Sequence, residues 1–460
     1  MIKKIIICIF FALLINPVTA VNTLGFASEK NDIHEEITVK LNNLKVDFDQ
    51  PPILREGRVL VPFRAIAETL GVEVHWNGET REVHASDEET GITLAIGDYE
   101  ALINGEKFKL DEAPLIKEGR TLIPLRFFSE AFGCKVNWEQ EEYEVSIYTP
   151  PSDLWISGFY ALGSRQASSW EDLFIKEYPQ REPGRTVLVD ELALGWYSID
   201  EEGHLLTRSR TGWQRPSGWE YVLEAAQDYG LYSEMVVHVT DYVSEDEMNG
   251  TPAELPHKED LEEEAIKEKE GAISSLLSSP QAMEKGAREI AAEAEKYYQG
   301  VNLNFEGLGL TERGEELKEV QDSFTRFVQK VKKELKRREE SLTLTLTLHA
   351  PNSVFKGYDY ASLGEVSDSI IIMAYDYEQG PEPVSKVTEA VNMALNEGVP
   401  PEKLLLGISI PSETSKTLPA KIEIARRHEL RGAGLWRLGL LREDNWEILQ
   451  GMIIPRELPE

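Results

Sequence analysis

The chain has 460 residues, of which 41% are hydrophobic, and its 81 acidic and 48 basic side chains give a formal net charge of -33 at pH 7. A surface this acidic, with no basic stripe, argues against nucleic acid or anionic lipid as a partner. The length and the apolar content suffice for two packed domains.

The first twenty residues predict a signal peptide. Residues 1–4 carry two lysines, residues 5–14 form an apolar run, and residues 17–20 read Pro-Val-Thr-Ala, an order typical of secretory signals. The run is short for a transmembrane helix, and an uncleaved anchor is the alternative. After cleavage Cys134 would be the only thiol, so no internal disulfide could form. We therefore expect a protein secreted to the bacterial cell wall or surface, with no membrane association after signal cleavage.

Residues 37–149 contain an internal repeat. The pattern E-G-R-x-L-[VI]-P-x-R occurs at residues 56–64 and again at 118–126. Each copy continues into a short helix, a glycine (Gly71 or Gly133) suited to end it, and an alternating strand with a tryptophan (Trp76 or Trp138). We predict two small β-α-β units, each burying its tryptophan against its twin.

This doubled motif resembles the copper amine oxidase N-terminal-like ("stalk") domain of exported proteins from Gram-positive bacteria. The resemblance covers about 110 residues and implies a role in spacing or wall attachment. We expect no copper or other metal here, because His75 and His84 lack companion ligands at suitable spacing.

Beyond a proline linker at residues 150–152, apolar strand-like runs alternate with helical patterns over residues 153–455. The clearest helix has an apolar stripe between the fourth and fifth strands, from Leu317 to Leu335. The predicted fold class is α/β: a (β/α)8 TIM barrel with a smaller N-terminal α+β domain built from two repeats. The eight predicted strands are Leu154–Leu162, Leu192–Ser198, Tyr232–Val239, Gly300–Glu306, Leu342–His349, Ser369–Tyr375, Leu404–Ile410 and Ala433–Leu438.

An acidic segment, Ser244 to Gly271, interrupts the alternation of strands and helices after the third strand. It is either a lid over the cleft or a solvated acidic insertion, and the second interpretation is favoured.

The fourth predicted strand has two distinct faces. Its apolar residues alternate with Asn302, Asn304 and Glu306. At the carboxyl end of a barrel strand, an inward polar row is a typical way to build a catalytic site. The alternative is an edge strand whose polar face lies in water.

Aromatic and acidic residues fall at other predicted strand ends. They are Tyr160 on the first strand, Met373, Tyr375 and Asp376 on the sixth, and Trp436 on the eighth. Aromatic rings stack on the apolar faces of sugars and a carboxyl group can protonate a leaving oxygen, so this set is typical of a site that cleaves glycosidic bonds.

Residues 152–455 resemble family 18 glycoside hydrolases, which include chitinases and peptidoglycan hydrolases of spores. The family's strand-six motif M-x-Y-D is matched by residues 373–376, and a strand-two pattern G-W-Y by residues 195–197. The strand-four motif D-G-x-D-x-D-[WF]-E is matched in part by residues 299–306. The resemblance implies a retaining mechanism in which the 2-acetamido group of the sugar attacks C1, with no cofactor.

The resemblance also implies roles for single residues. Glu306 matches the general acid/base, Tyr375 the phenol that holds the acetamido carbonyl, and Trp436 the floor of the reacting subsite. Asn304 stands where the family has the aspartate that accepts the acetamido N–H. The candidate substrate-binding residues are Tyr160, Trp196, Asn302, Met373, Asp376 and Trp436.

The chain departs from the family at all three strand-four aspartates, which are replaced by Gln299, Asn302 and Asn304. A neutral hydrogen bond in place of a charge-assisted one should cost about 1–2 kcal/mol of transition-state stabilisation, roughly 5- to 30-fold in rate. Family 85 endoglycosidases, also substrate-assisted, use asparagine here. Without a neighbouring carboxylate we expect a lower pKa for Glu306 and a more acidic pH optimum.

Three hypotheses follow. The first is a secreted hydrolase of polysaccharides with β-1,4-linked N-acetylglucosamine, either peptidoglycan or chitin, with peptidoglycan favoured. The second is a weak or inactive glycan-binding (lectin-like) wall protein, and the third a structural surface protein on the same barrel. Two further histidines near predicted strand ends, His238 and His349, are expected to be hydrogen-bonded structural residues.

Overall fold

The computed structural model describes residues 36–87, 89–160, 169–208, 214–240 and 271–459. The signal peptide predicted over residues 1–20 and nearly all of the acidic segment Ser244 to Gly271 lie outside the described residues. Among the helices that are described, none is long and apolar enough to cross a membrane.

The N-terminal domain consists of short strands and two short helices. Its strands are β1 (Thr38–Leu41), β2 (Leu44–Lys45), β3 (Ile53–Arg55), β4 (Arg58–Pro62), β5 (Glu73–Asn77), β6 (Glu82–Ser86), β7 (Gly91–Ala95), β8 (Glu100–Ile103), β9 (Glu106–Lys109), β10 (Leu115–Lys117), β11 (Arg120–Pro124), β12 (Lys135–Glu139) and β13 (Glu144–Tyr148). Its helices are α1 (Phe63–Leu70) and α2 (Leu125–Ala131). Gly71 ends α1 with a left-handed φ of 72°, which glycine adopts without steric penalty.

The two repeats meet through their strands. β4 and β11, which carry the doubled motif, pair antiparallel with Val61 opposite Ile123. Trp76 on β5 and Trp138 on β12 belong to different sheets. Both are partly buried and pack against the apolar core that the two repeats share, and the ring of Trp138 contacts Tyr143 edge-on at 5.7 Å.

The C-terminal part is a closed barrel of eight parallel strands, as predicted. They are β14 (Trp155–Tyr160), β15 (Glu191–Ile199), β17 (Tyr232–Thr240), β18 (Gly300–Glu306), β19 (Thr343–His349), β20 (Ser369–Met373), β21 (Leu404–Ser409) and β22 (Gly432–Trp436). β14 pairs with both β22 and β15, which closes the barrel, and the two-residue β16 (Leu205–Leu206) adds antiparallel to β15.

Helices surround the barrel and bury their apolar faces on its outside. They are α3 (Ser169–Phe174), α4 (Trp219–Asp228), α5 (Ala272–Ser278), α6 (Pro280–Tyr297), α7 (Gly314–Arg338), α8 (Tyr360–Val366), α9 (Val384–Asn396), α10 (Leu418–Arg427) and α11 (Glu443–Met452), with 3₁₀ turns at Arg185–Leu188, Pro401–Lys403 and Ile410–Ser412. The apolar stripe predicted for α7 is confirmed: Phe324, Phe327 and Val328 are fully buried against the barrel core.

The N-terminal domain contacts the barrel through the turn between β1 and β2. The Asn42 side chain donates a 2.8 Å hydrogen bond to the buried Glu423 carboxylate on α10, and Leu44 packs into the barrel's apolar core. The predicted linker is held by backbone hydrogen bonds between Ser152 and residues 452 and 454. The contact involves α10 and the loop before it, where Asn43 donates a 2.8 Å hydrogen bond to the Lys416 carbonyl.

Candidate active site at the carboxyl ends of the barrel strands

Strand β18 supplies the acidic centre of the site. Val301, Leu303 and Phe305 are fully buried and face the helices, so the alternate residues face the barrel axis. Asn302 and Asn304 are buried, whereas the Glu306 side chain is 29% exposed at the end of the strand. The row therefore runs from the barrel interior to its mouth.

The amides of this row have defined orientations. Asn302 Oδ1 accepts a 2.8 Å hydrogen bond from the Thr347 hydroxyl on β19. Asn304 Nδ2 donates a 2.9 Å hydrogen bond to Glu306 Oε1. The remaining atom of the Asn304 amide, Oδ1, is buried without a hydrogen-bond partner. An unpaired acceptor thus lies two residues from the carboxyl group.

A histidine that the sequence did not assign to the site contacts this carboxyl group. His238 lies on β17, directly opposite Asn304 in the parallel register, and its Nε2 is 3.4 Å from Glu306 Oε1. Its side chain is 14% exposed, and Nδ1 is buried without a partner. His238 therefore lies in the candidate site, beside its acidic centre.

These neighbours determine the charge of Glu306. Burial on its own raises the pKa of this carboxyl group. Attraction to His238, the hydrogen bond from His238, attraction to His349 and the Asn304 amide outweigh that effect and lower the pKa to about 2. Burial also lowers the pKa of His349 to about 4. Glu306 is thus ionised at neutral pH in the empty site.

The segment after β20 brings a phenol and a second carboxyl group to the mouth. Met373 ends β20 and is buried, and Tyr375 follows it beside Gly407, where an added Cβ would lie 2.5 Å from the Ile372 carbonyl. Asp376 has a left-handed φ of 62° and donates its backbone N–H to Glu382 Oε1 at 2.9 Å. Glu382 in turn donates its backbone N–H to Glu413.

Asp376 is the more basic of the two mouth carboxyl groups. Loss of solvation, followed by repulsion from Glu382 and Glu306, raises its pKa to about 6. Near neutral pH this group can therefore exist in either protonation state, unlike Glu306.

Trp436, at the end of β22, is half-buried and contacts Phe159 edge-on at 5.2 Å. Both rings border a narrow pocket on the barrel axis, lined by Phe159, Tyr160, Ala193, Gly195, Val236, His238, Asn304 and Trp436. A more open groove lies on the sheet β5–β9, but its lining holds no tryptophan, tyrosine or phenylalanine. The pocket at the mouth is the better candidate for sugar binding.

Two predicted sugar-binding aromatics do not face the mouth. Trp196 is 1% exposed and packs edge-on against Trp219 of α4 at 6.2 Å, on the outer face of the barrel. Tyr160 reaches the edge of the pocket, but its ring is 1% exposed and packs against Trp196. The reason is strand parity: Phe159 is the residue of β14 that faces inward.

Among the described residues, one group has the composition of a metal site: Asp200, Glu202 and His204 in the turn after β15. His204 Nδ1 already lies 3.0 Å from Asp200 Oδ2 within that group, and Glu202 and His204 are exposed. None of its three residues lines the pocket at the mouth.

Comparisons with known proteins confirm both resemblances. Residues 267–417 match the family model described as glycosyl hydrolases family 18, and residues 40–147 match the copper amine oxidase N-terminal domain. The first match spans the strand-four and strand-six motifs and supports a glycoside hydrolase.

Individual relatives match over shorter segments. The "Putative sporulation-specific glycosylase YdhD" of Bacillus subtilis is 26% identical over 121 residues, 25% of this chain and 27% of the relative. The "Cortical fragment-lytic enzyme" of Bacillus anthracis is 27% identical over 147 residues, 29% of this chain and 31% of the relative. The chain thus spans less than a third of the length of these relatives. The crystal structure of the Bacillus cereus spore cortex-lytic enzyme SleL aligns with a TM-score of 0.47 and 16% identity over 66% of this chain and 75% of that one.

Proposed function

We propose that this protein is an exported glycoside hydrolase that cleaves β-1,4-linked N-acetylglucosamine polysaccharides by substrate-assisted, retaining catalysis. The observation that carries this proposal is the pairing at the end of β18: a partly exposed carboxyl group, Glu306, beside an amide whose oxygen has no partner. A substrate-assisted reaction needs a proton donor and an acceptor for the acetamido N–H next to each other.

The orientation of Asn304 suits this role. Its Nδ2 is committed to Glu306, so its Oδ1 is the atom left to accept the acetamido N–H. That bond would turn the acetamido oxygen toward C1, and the Tyr375 hydroxyl group would donate a hydrogen bond to the same oxygen. Trp436 would form the floor under the sugar ring.

In the proposed reaction, the acetamido oxygen attacks C1 while the Glu306 carboxyl group gives its proton to the glycosidic oxygen, so the C1–oxygen bond breaks. This leaves an oxazolinium ion beside a Glu306 carboxylate. The carboxylate then takes a proton from water as that water attacks C1, which opens the ring with net retention. No protein nucleophile is required.

Peptidoglycan is the proposed substrate class in preference to chitin. The names of two relatives refer to sporulation and to the lysis of cortical fragments. The N-terminal match to a domain resembling wall-associated stalks supports the same choice. We further propose export through the signal at residues 1–20, which N-terminal sequencing of the secreted form tests. A secreted form that still begins at Met1 would contradict cleavage.

The second candidate function is glycan binding without turnover. The observation that favours it is the low pKa of Glu306, about 2, which leaves the carboxyl group without a proton at neutral pH. General acid catalysis requires that proton.

Release of reducing ends from purified peptidoglycan and from chitin oligomers, measured from pH 4 to 8, separates the two functions. We expect release by the wild type, little by Glu306→Gln, and full release by the exposed control Glu316→Gln on α7. Calorimetric titration with the same oligomers should show binding by all three proteins. Binding without release by the wild type would support the lectin-like alternative.

A further inference from the structure

We propose that His238 is a positioning residue that holds the proton of Glu306 between turnovers and returns it when the sugar binds. The inference rests on the proposed function, because it concerns the proton that Glu306 gives to the leaving oxygen. It adds a group from a neighbouring strand that neither the motifs nor the family resemblance assigns.

The contact is built into the barrel. Strands β17 and β18 pair over seven residues, which places His238 opposite Asn304 and two residue pairs before the pair that contains Glu306. The 3.4 Å separation of Nε2 and Oε1 is slightly longer than a strong hydrogen bond. A small rotation of either side chain would shorten it to the usual hydrogen-bond distance.

Other ionisable groups around the pair do not compete for this role. From β19, His349 faces Glu306, but burial lowers its pKa to about 4 and its ring stacks on Phe355 at 4.0 Å. After β20, Tyr375 has a raised pKa and Asp376 repels Glu306. Among the described residues, His238 is the one basic side chain within 4 Å of the Glu306 carboxyl group.

The surroundings of His238 Nδ1 do not oppose the transfer. In the imidazolium form Nδ1 carries an N–H that has no acceptor in the described structure. The neutral imidazole that remains after Nε2 gives up its proton keeps the same N–H, so the cost of this unsatisfied donor is equal in the two states. Binding of a sugar removes the water around the carboxylate and favours that neutral state.

The proton balance closes over one turnover. His238 Nε2 gives its proton to Glu306 Oε1, and Glu306 gives it to the glycosidic oxygen. In the second step Glu306 takes a proton from the attacking water and passes it back to Nε2. The pair holds one proton at the start and one at the end. The pH dependence of activity therefore reports the protonation of the pair and not of either residue alone.

The variant His238→Gln tests this through the pH profile of kcat/KM on peptidoglycan fragments. In the wild type, kcat/KM should be constant at lower pH and should fall at higher pH as the pair loses its proton. The variant should fall about tenfold per pH unit from the acidic end, because only the carboxyl group of Glu306 can then hold the proton. At pH 7 we expect roughly 100-fold lower kcat/KM with KM changed less than about threefold.

Two comparisons separate this role from a structural one. His349→Gln removes a buried histidine on the other side of Glu306 and should keep the wild-type shape of the profile above about pH 5, because burial lowers the pKa of His349 to about 4 and leaves its imidazole neutral there. In the His238→Gln background, Asn304→Asp should restore activity near neutral pH, because a carboxylate beside Glu306 raises its pKa. An unchanged profile in His238→Gln, with an active wild type, overturns the inference and leaves the proposed function intact.

A measurement that needs no turnover and no folded His238 variant is the ¹⁵N titration of the histidines in the wild type and in Glu306→Gln. Loss of the carboxylate should move the midpoint of one histidine to lower pH by about one unit or more. If every histidine titrates alike in the two proteins, the pair does not share a proton and the inference fails. Failure of the wild type to release sugar would refute the proposed function instead.

Discussion

Both ends of the barrel interior hold carboxyl groups, but their partners differ in kind. At the amino ends of the strands, Glu191 on β15 and Glu234 on β17 are buried and surrounded by neutral donors. At the carboxyl ends, Glu306 on β18 is next to an imidazole and an amide. All three side chains face the same axis, and at the amino end the nearby Arg431 guanidinium opposes the effect of burial on the pKa of Glu191 without reversing it.

At the amino end, every donor is neutral. Ser157 Oγ donates to Glu191 at 2.7 Å, and Thr345 Oγ1 donates to Glu234 at 2.7 Å. Burial is the main reason that the pKa of each carboxyl group is raised. Repulsion from Glu191 raises the pKa of Glu234 further. The pKa of both carboxyl groups is thus shifted upward, opposite to that of Glu306.

At the carboxyl end, burial also raises the pKa of the carboxyl group, but the neighbouring side chains outweigh this effect. Attraction to His238, its hydrogen bond, attraction to His349 and the Asn304 amide together shift the pKa of Glu306 to about 2. The surrounding side chains therefore keep ionised a group that burial alone would neutralise. Depth in the barrel thus does not by itself determine the charge of a carboxyl group.

The largest expected effect comes from making the same substitution at both ends. Glu306→Gln should lower reducing-end release about 100- to 10,000-fold, because the proton donor is lost. Glu234→Gln should stay within about threefold of the wild type, since its neutral amide keeps an acceptor for Thr345. Initial rates at pH 5 provide the measurement. Comparable losses in both variants would mean that the two ends are not functionally distinct.

The next effect concerns stability against pH. The folded-state pKa of Glu306 is lowered from 4.5 to about 2, so its contribution to the free energy of unfolding is present above about pH 4.5 and is lost as the pH falls toward 2. That contribution is about 3 kcal/mol. Glu191 and Glu234 have raised pKa values, so their contribution is present at low pH and is lost as the pH rises through those values.

Urea unfolding from pH 3 to 9 measures the free energy of unfolding as a function of pH. The fall of this curve toward low pH is its acidic limb, and the fall toward high pH is its alkaline limb. Glu306→Gln should flatten the acidic limb, and Glu234→Gln should flatten the alkaline one. The exposed acid Glu365 on α8 serves as a control, because Glu365→Gln should leave both limbs within about 0.5 kcal/mol. A reversed assignment of the limbs would contradict the comparison.

The sequence predicted the parts of this arrangement that depend on a single strand. The period of two along residues 300–306 is enough to assign the inward row, and the stripe of α7 is enough to place that helix. The eight barrel strands agree with the prediction to within one or two residues at most ends. Local periodicity carries this information because each element buries one face.

Relations between strands were not predictable in the same way. The contact of His238 with Glu306 follows from the register of β17 against β18, which a single sequence does not reveal. On β14 aromatic residues occur on both faces of the strand. The sequence therefore favours Tyr160 as the sugar-binding residue, although Phe159 is the one that faces the axis. Trp196 was chosen from a motif alone. Its outward position follows from the alternation of β15, since Leu192 and Leu194 share its face and Ala193 faces the axis.

The smallest expected effect tests whether the mouth can be made more like the amino end. Asn304→Asp places a second carboxyl group beside Glu306, and mutual repulsion should raise the pKa of Glu306, as the Glu191 and Glu234 pair does. A charge-assisted bond to the acetamido N–H should also raise the rate roughly 5- to 30-fold. The pH optimum of kcat/KM on peptidoglycan fragments should therefore move toward neutral pH. An unchanged optimum would mean that His238, and not the residue at position 304, sets the protonation of Glu306.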